Sequence, residues 1–172
     1  VRELTKPRRD EYRFKLGHCH FEREEYAKAR VPLYETLEVE SEFQAAAQYY
    51  FSHIAYLNGQ PQVALDGFER IADHPDFKEL VPLYINQLLH ATGQYDRLKE
   101  YAPPLLDESS GLDEESVAEV AHLLGDAFYR DNAFDKASPY LELAWAGTDG
   151  PGRNADFAYQ MGYTRYKLGD WR

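Results

Sequence analysis

Slid against itself, this sequence repeats. Aligning KLGHCHFEREEYAKARVPL, YFSHIAYLNGQPQVALDGF, INQLLHATGQYDRLKEYA, LLGDAFYRDNAFDKASPYL and QMGYTRYKLGDWR brings Gly17, Ser52, Asn86, Gly125 and Gly162 into one anchor column. Successive anchors stand 35, 34, 39 and 37 residues apart, and the longest interval contains DESSGLDEES, which reads as a surface-loop extension. A period of this length belongs to a chain built from one supersecondary unit stacked on copies of itself, and it removes most other architectures from consideration.

Within each unit, two stretches of helical periodicity meet at a short polar turn, REE, NGQ, TGQ, RDN or LGD. The pattern predicts one helical hairpin per unit over residues 10–43, 44–77, 78–112 and 113–150. A partial fifth unit over 151–172 has only a first helix and its turn, as expected for part of a longer array. A second column, twelve residues past the anchor, reads Ala29, Ala64, Leu98 and Ala137. Small residues at two fixed points let helix backbones approach closely. Tyr26, Tyr95, Phe134 and Trp171, beside the turns, are placed to fill the space between hairpins. Pro32, Gly67, Pro103, Pro104 and Pro139 fall in the second helices, where kinks are expected.

Leu16-Gly17, Tyr26 and Ala29 in the first unit resemble the tetratricopeptide repeat, as do Ala64 and Phe68 in the second, Leu124-Gly125, Phe134 and Ala137 in the fourth, and Met161-Gly162 in the fifth. The third unit departs from that pattern, with Asn86 and Leu98 at the two small columns. The resemblance covers about residues 10–172. It implies an all-α fold, a right-handed α-α superhelix or solenoid of about four and a half hairpins, whose first helices line a concave side where ligands bind. More loosely, YYFSHIAYLNG, VPLYINQLLHATGQYD and LLGDAFYRDNAFDKA resemble long repeat proteins of bacterial cell envelopes. That likeness leans towards an envelope setting without excluding the cytoplasm.

Three positions per first helix share one stripe: three before the anchor, one after it and four after it. By the resemblance, this stripe faces the groove. It holds Phe14, His18 and Phe21, then Tyr49, His53 and Tyr56, then Leu83, Gln87 and His90, then His122, Asp126 and Tyr129, and finally Tyr159, Tyr163 and Tyr166. Four of the 6 histidines and six of the 14 tyrosines fall here, against one of the 30 carboxylates, so the acid lies elsewhere. Rings with a hydrogen-bonding end suit a recognition surface. The competing reading is that aromatics at helical spacing pack between hairpins. Groove histidines with an ordinary pKa of about 6.5 would gain charge on mild acidification and weaken capture of a neutral or cationic peptide. Lys15, Arg130 and Lys167 flank the stripe and could meet a peptide carboxylate.

Other chemistry finds little support. A formal charge of −11 argues against a nucleic-acid partner. No apolar run is long enough to cross a membrane. The single cysteine cannot form an internal disulfide. His18 and His20, two apart on a helix, point in nearly opposite directions and cannot share an ion, and Cys19 between them is expected in the hairpin interior, so no metal is expected. No phosphate-cradling loop or nucleophile motif is present, no cofactor is implied, and Asp126 with Tyr129, Arg130 and His122 is the most polar groove cluster. Runs such as Glu22-Arg23-Glu24-Glu25 and Asp113-Glu114-Glu115 read as solvated turns. The sequence therefore points to a non-catalytic module binding a protein or peptide segment within a larger scaffold. The alternative is an assembly element that self-associates through its last repeat or packs on its parent chain.

Overall fold

The computed structural model describes residues 6–107, 110–148 and 154–170. Among the described residues it contains α-helices and one 3-10 turn, and no strand. The helices are α1 (Lys6–Glu22), α2 (Tyr26–Leu37), α3 (Gln44–Leu57), α4 (Pro61–Glu69), α5 (Val81–Ala91), α6 (Tyr95–Tyr101), α7 (Glu114–Arg130), α8 (Phe134–Gly147) and α9 (Ala155–Leu168), with the 3-10 turn at Pro103–Leu106. None of these helices is long and apolar enough to cross a membrane. The chain divides into two compact units between Val81 and Pro82. In the first, α1 packs on α2, α2 on α3 and α3 on α4, while α1 also touches α3. In the second, α7 packs on α8 and α8 on α9, α7 also touches α9, and α6 lies against α7. Within each unit one first helix, α1 or α7, thus meets both its own partner and the next first helix, the arrangement of a helical-hairpin solenoid.

The anchor column sets how closely each hairpin closes. A Cβ on Gly17 would lie 2.7 Å from Leu33 Cγ and 3.2 Å from its backbone nitrogen, and a Cβ on Gly125 would meet Leu141 in the same way, 2.7 Å from Cδ2 and 3.2 Å from the nitrogen. Both leucines stand sixteen residues past their anchor. In the second hairpin the small residue has changed helix: the anchor is Ser52, and Gly67 opposite it has no room for a Cβ beside Ser52 Oγ and Gln48. Gly67 therefore marks a close approach, and α4 continues through it. Ala29, Ala64, Leu98 and Ala137, the second column, are all fully buried. Asn86, the polar anchor, is buried with neither amide atom hydrogen-bonded among the described residues.

The turns share one backbone solution. Glu24, Gly59, Gly93, Asn132 and Gly169, each seven past its anchor, all take positive φ between 58° and 75°. The next amide reaches back to the carbonyl five residues earlier, as in Glu25 N to His20 O at 2.9 Å and Ala133 N to Phe128 O at 3.0 Å. This is the Schellman closure of a helix C-terminus, and glycine fits it without a Cβ penalty. Glu24 and Asn132 adopt it regardless.

The prolines fall at two kinds of place. α2 continues through Pro32 and α8 through Pro139, but Pro103 and Pro104 end α6, which keeps only seven residues before the 3-10 turn. Neither proline brings a backbone N–H to continue the hydrogen-bond ladder, so α6 stops at the pair although Ala102 before it keeps helical dihedrals. Lys99 then pins the short α6 to the end of α7, bonding Asp131 and lying 5.6 Å from the Phe128 ring. The DESSGLDEES extension ends in a cap: Asp113 accepts a 2.8 Å bond from the Ser116 amide and starts α7. Glu108 and Ser109 of that stretch, and Trp171, lie outside the described residues.

Two substitutions test this geometry in opposite directions. Glu24→Gly relieves a left-handed non-glycine residue and is expected to stabilise the chain by about 1 kcal/mol, a melting rise of roughly 2–4 °C. Gly125→Ala forces its Cβ into Leu141 and is expected to cost about 1–3 kcal/mol. Thermal melts followed by circular dichroism measure both, and a Gly125→Ala melt equal to that of the parent would refute the close-approach account.

Candidate recognition surface

In the first unit, much of the expected stripe is used for packing. Phe14 stacks on Phe43 at 5.2 Å, and Tyr49 stacks on Phe77 at 5.1 Å with planes 8° apart. In both cases the residue three before one anchor meets a phenylalanine nine before the next. Tyr50 sits among the others, with ring centroids 4.6 Å from His18, 4.9 Å from Phe21 and 5.3 Å from Tyr49. Phe21 meets His53 edge-on at 5.4 Å, and Phe14, Phe21 and Tyr50 all pack over the core of Ala29, Leu33, Ala47 and Ile54. Burial holds the His53 imidazole below its ordinary pKa. His18 is more open and pairs with Glu22 at 3.2 Å, and Tyr56 is 37% exposed.

His18 and His20 go to separate carboxylates: His20 Nδ1 meets Glu25 at 2.7 Å, across the turn. Cys19 is exposed, contrary to the interior position expected. It lies two residues past Gly17, about 200° around the helix, which turns it away from the partner helix on which Gly17 rests. Among the described residues no three metal-binding side chains converge. Lys15, expected at the rim, bonds Glu11 at 2.6 Å on its own helix.

The second unit carries a polar node. Asp126 on α7 is 5% exposed. Its Oδ2 accepts from His90 Nε2 on α5 at 2.7 Å and from Arg130 Nε one turn along α7 at 2.5 Å, while Oδ1 accepts from Gln160 Nε2 on α9 at 2.5 Å. Three helices are thereby tied through one carboxylate. Burial alone would raise its pKa, but the bonds and charges of His90 and Arg130 outweigh that and bring it down to about 2. His122 lies beside the node, stacked on Phe157 at 4.1 Å, and burial pushes its pKa down. A small cavity of about 160 Å³ opens here, with His90, His122, Asp126, Arg130 and Gln160 in its wall. Gln87, next along α5, bonds Glu119 of α7 at 2.6 Å. Leu83, the remaining stripe position, is half-buried on α5.

Beyond the node, α9 shows a run of rings. Tyr159, Tyr163 and Tyr166 stand in line with centroids 5.8 and 6.1 Å apart, and Tyr129 and Phe134 meet Tyr163 edge-on at 6.0 and 5.8 Å. Tyr159 is 64% exposed and Tyr166 54%. Lys167 lies over Tyr163 at 5.2 Å, and Arg130 over Tyr95 at 5.4 Å. In this unit the structure gathers His90, His122, Asp126, Tyr129, Tyr159, Tyr163 and Tyr166 into linked contacts.

Sequence reasoning overlooked Tyr50 and Gln160, which both stand two residues before an anchor. That column reads Lys15, Tyr50, Tyr84, Leu123 and Gln160, too mixed in chemistry to mark itself out. The histidine expectation also changes, because burial holds both His53 and His122 below the pKa at which mild acid would charge them.

Neither the protein-family models nor the curated proteins give a match to this chain. Solved structures do. One, from a functional characterization of Pseudomonas aeruginosa pilF, matches with a TM-score of 0.63 at 16% identity, over 95% of this chain and 70% of that one. Another, the nearly identical TPR-like repeats of a Podospora anserina kinesin light chain, gives 0.62 at 18% identity, over 98% and 91%. At such identities the likeness is one of fold.

The node and the histidines make pH predictions. His53 and His122 have folded pKa values below the unfolded value of about 6.5, so their contribution to stability is present above that pH and lost as pH falls below it. Melting should drop between pH 7.5 and 5.5, and the drop should shrink in His122→Gln; a pH-independent melt would contradict the burial. Asp126 acts lower, its contribution present above about 4 and lost as pH falls towards 2. Asp126→Asn, at neutral pH, is expected to cost about 1–3 kcal/mol by leaving the donors of His90, Arg130 and Gln160 poorly matched around a buried position.

Proposed function

We propose that this tetratricopeptide-type helical array is a non-catalytic interaction module that grips a segment of a partner protein along the first-helix side of its hairpins. The exposed tyrosine run on α9 carries the reading. Large rings left open to solvent in a contiguous line are rare unless something covers them, and tyrosine supplies contact area at small conformational cost. The polar node beside it holds α5, α7 and α9 in fixed register, so the rings are presented on a rigid base. The first-unit stripe contributes mainly through Tyr56 and His18, the rest serving the core.

Support for a non-catalytic role comes from the same node. Both oxygens of Asp126 are engaged by donors, and His122 is stacked on Phe157. Neither is poised to exchange a proton with a substrate.

A second reading, assembly through α9, has one observation in its favour: Gly162 is exposed and its Cβ direction is open for 4 Å, so a further helix could seat there. The two readings separate experimentally. Wild type and Tyr159→Ala/Tyr166→Ala, both checked for folding by circular dichroism, serve as parallel baits in source lysate, and sedimentation velocity measures self-association. A partner kept by wild type and lost by the variant, with both proteins monomeric, is the expected result. Concentration-dependent dimers abolished by the same variant would replace the module by the assembly element.

A further inference from the structure

The three tyrosines of α9 are spaced by four and three residues, and their planes lie within 17° and 28° of each other, so the rings stand as a row of near-parallel slabs. From Tyr159 to Tyr166 the helix rises about 10 Å. One turn of a polyproline II helix, three residues, advances about 9 Å. A guest of that conformation places residues i and i+3 against the two end rings while the intervening pair crosses Tyr163. We propose that this ladder seats a proline-rich segment in polyproline II conformation with an acidic residue beside its prolines; the inference rests on the interaction-module reading and names the ligand for it.

Hydrogen bonding favours this guest over an α-helix. The hydroxyls of Tyr159 and Tyr163 have no hydrogen-bond partner among the described residues. A helical guest offers them few acceptors, because its carbonyls are bonded internally. A polyproline II segment has no internal hydrogen bonds, and every carbonyl is available. Its stiffness also lowers the entropy lost on docking. A flat sugar ring would call for a level aromatic floor, whereas these rings face one another along the helix.

Charge selects the flank. Arg130 is engaged by Asp126, but Lys167, over Tyr163 and Phe134, has no ion-pair partner among the described residues. No carboxylate belongs to the ladder itself. The ammonium is thus available to a glutamate or aspartate next to the prolines.

Fluorescence anisotropy with a labelled decaproline ending in two glutamates tests the proposal. A glycine-serine peptide with the same ending and an amphipathic helical peptide of equal charge serve as comparisons. The expected result is saturable binding of the decaproline, weakened at least about tenfold by Tyr159→Ala/Tyr166→Ala, which removes both end rings of the ladder. Lys167→Glu should weaken the glutamate-tailed decaproline and leave an alanine-tailed one unchanged. The proposal is overturned by absence of saturation up to about 1 mM, by equal binding of the glycine-serine peptide, by tighter binding of the helical peptide, or by indifference to the tyrosine variant. If the lysate partner still depends on Tyr159 and Tyr166 in any of those cases, the module reading stands and the ligand class is wrong. If that dependence is missing too, both fall.

Discussion

The fold depends on how closely two helix backbones can approach inside each hairpin. Gly17 and Gly125 leave no space between their own helix and the leucine sixteen residues on, and the second hairpin reaches the same closeness with Ser52 and Gly67 in exchanged roles. Helices at that distance interlock their side chains and fix the crossing. The second column, Ala29, Ala64, Leu98 and Ala137, is fully buried in the helix that follows each turn. Everything described on the first-helix side, from the stacked Phe14 and Phe43 to the Asp126 node, rests on hairpins held in that register.

Within this frame the two units divide their aromatic residues differently. In the first, Phe14, Phe21, Tyr49, Tyr50 and His53 form a half-buried network over the core, and the rings are largely occupied with each other. In the second, the same positions carry polar groups that tie helices together through one carboxylate, and this leaves the rings of α9 outward. Hydrogen bonds among Asp126, His90, Arg130 and Gln160 are directional, so they set the relative register of three helices more narrowly than apolar contact would.

Much of this could be read from the chain. The anchor and second columns, the hairpin turns and the stripe of rings follow from period and residue size, and the turn column even extends to backbone dihedrals, since REE and RDN adopt the same left-handed turn as NGQ and TGQ. What could not be read depended on which side of a helix is covered. Tyr50 and Gln160 occupy a column without a shared chemistry, so no pattern singled them out. Cys19 was expected in the hairpin interior, yet its angular position relative to Gly17 sets it outside. The prolines were ambiguous for a similar reason: Pro32 lies where its helix is already packed on both sides, whereas Pro103 and Pro104 come in tandem and end theirs.

The shortness of α6 bears on the order of folding. Seven residues are too few to form a stable helix in water, because nucleation costs more than so few hydrogen bonds return. α6 can persist only while its neighbours hold it, through buried Leu98 and the Lys99 link to Asp131 and Phe128. In the second unit, α7, against which α6 lies, therefore acts as its template. The helix that follows α5 in the chain, and thus follows His90, therefore owes its conformation to α7 rather than to its own hydrogen bonds.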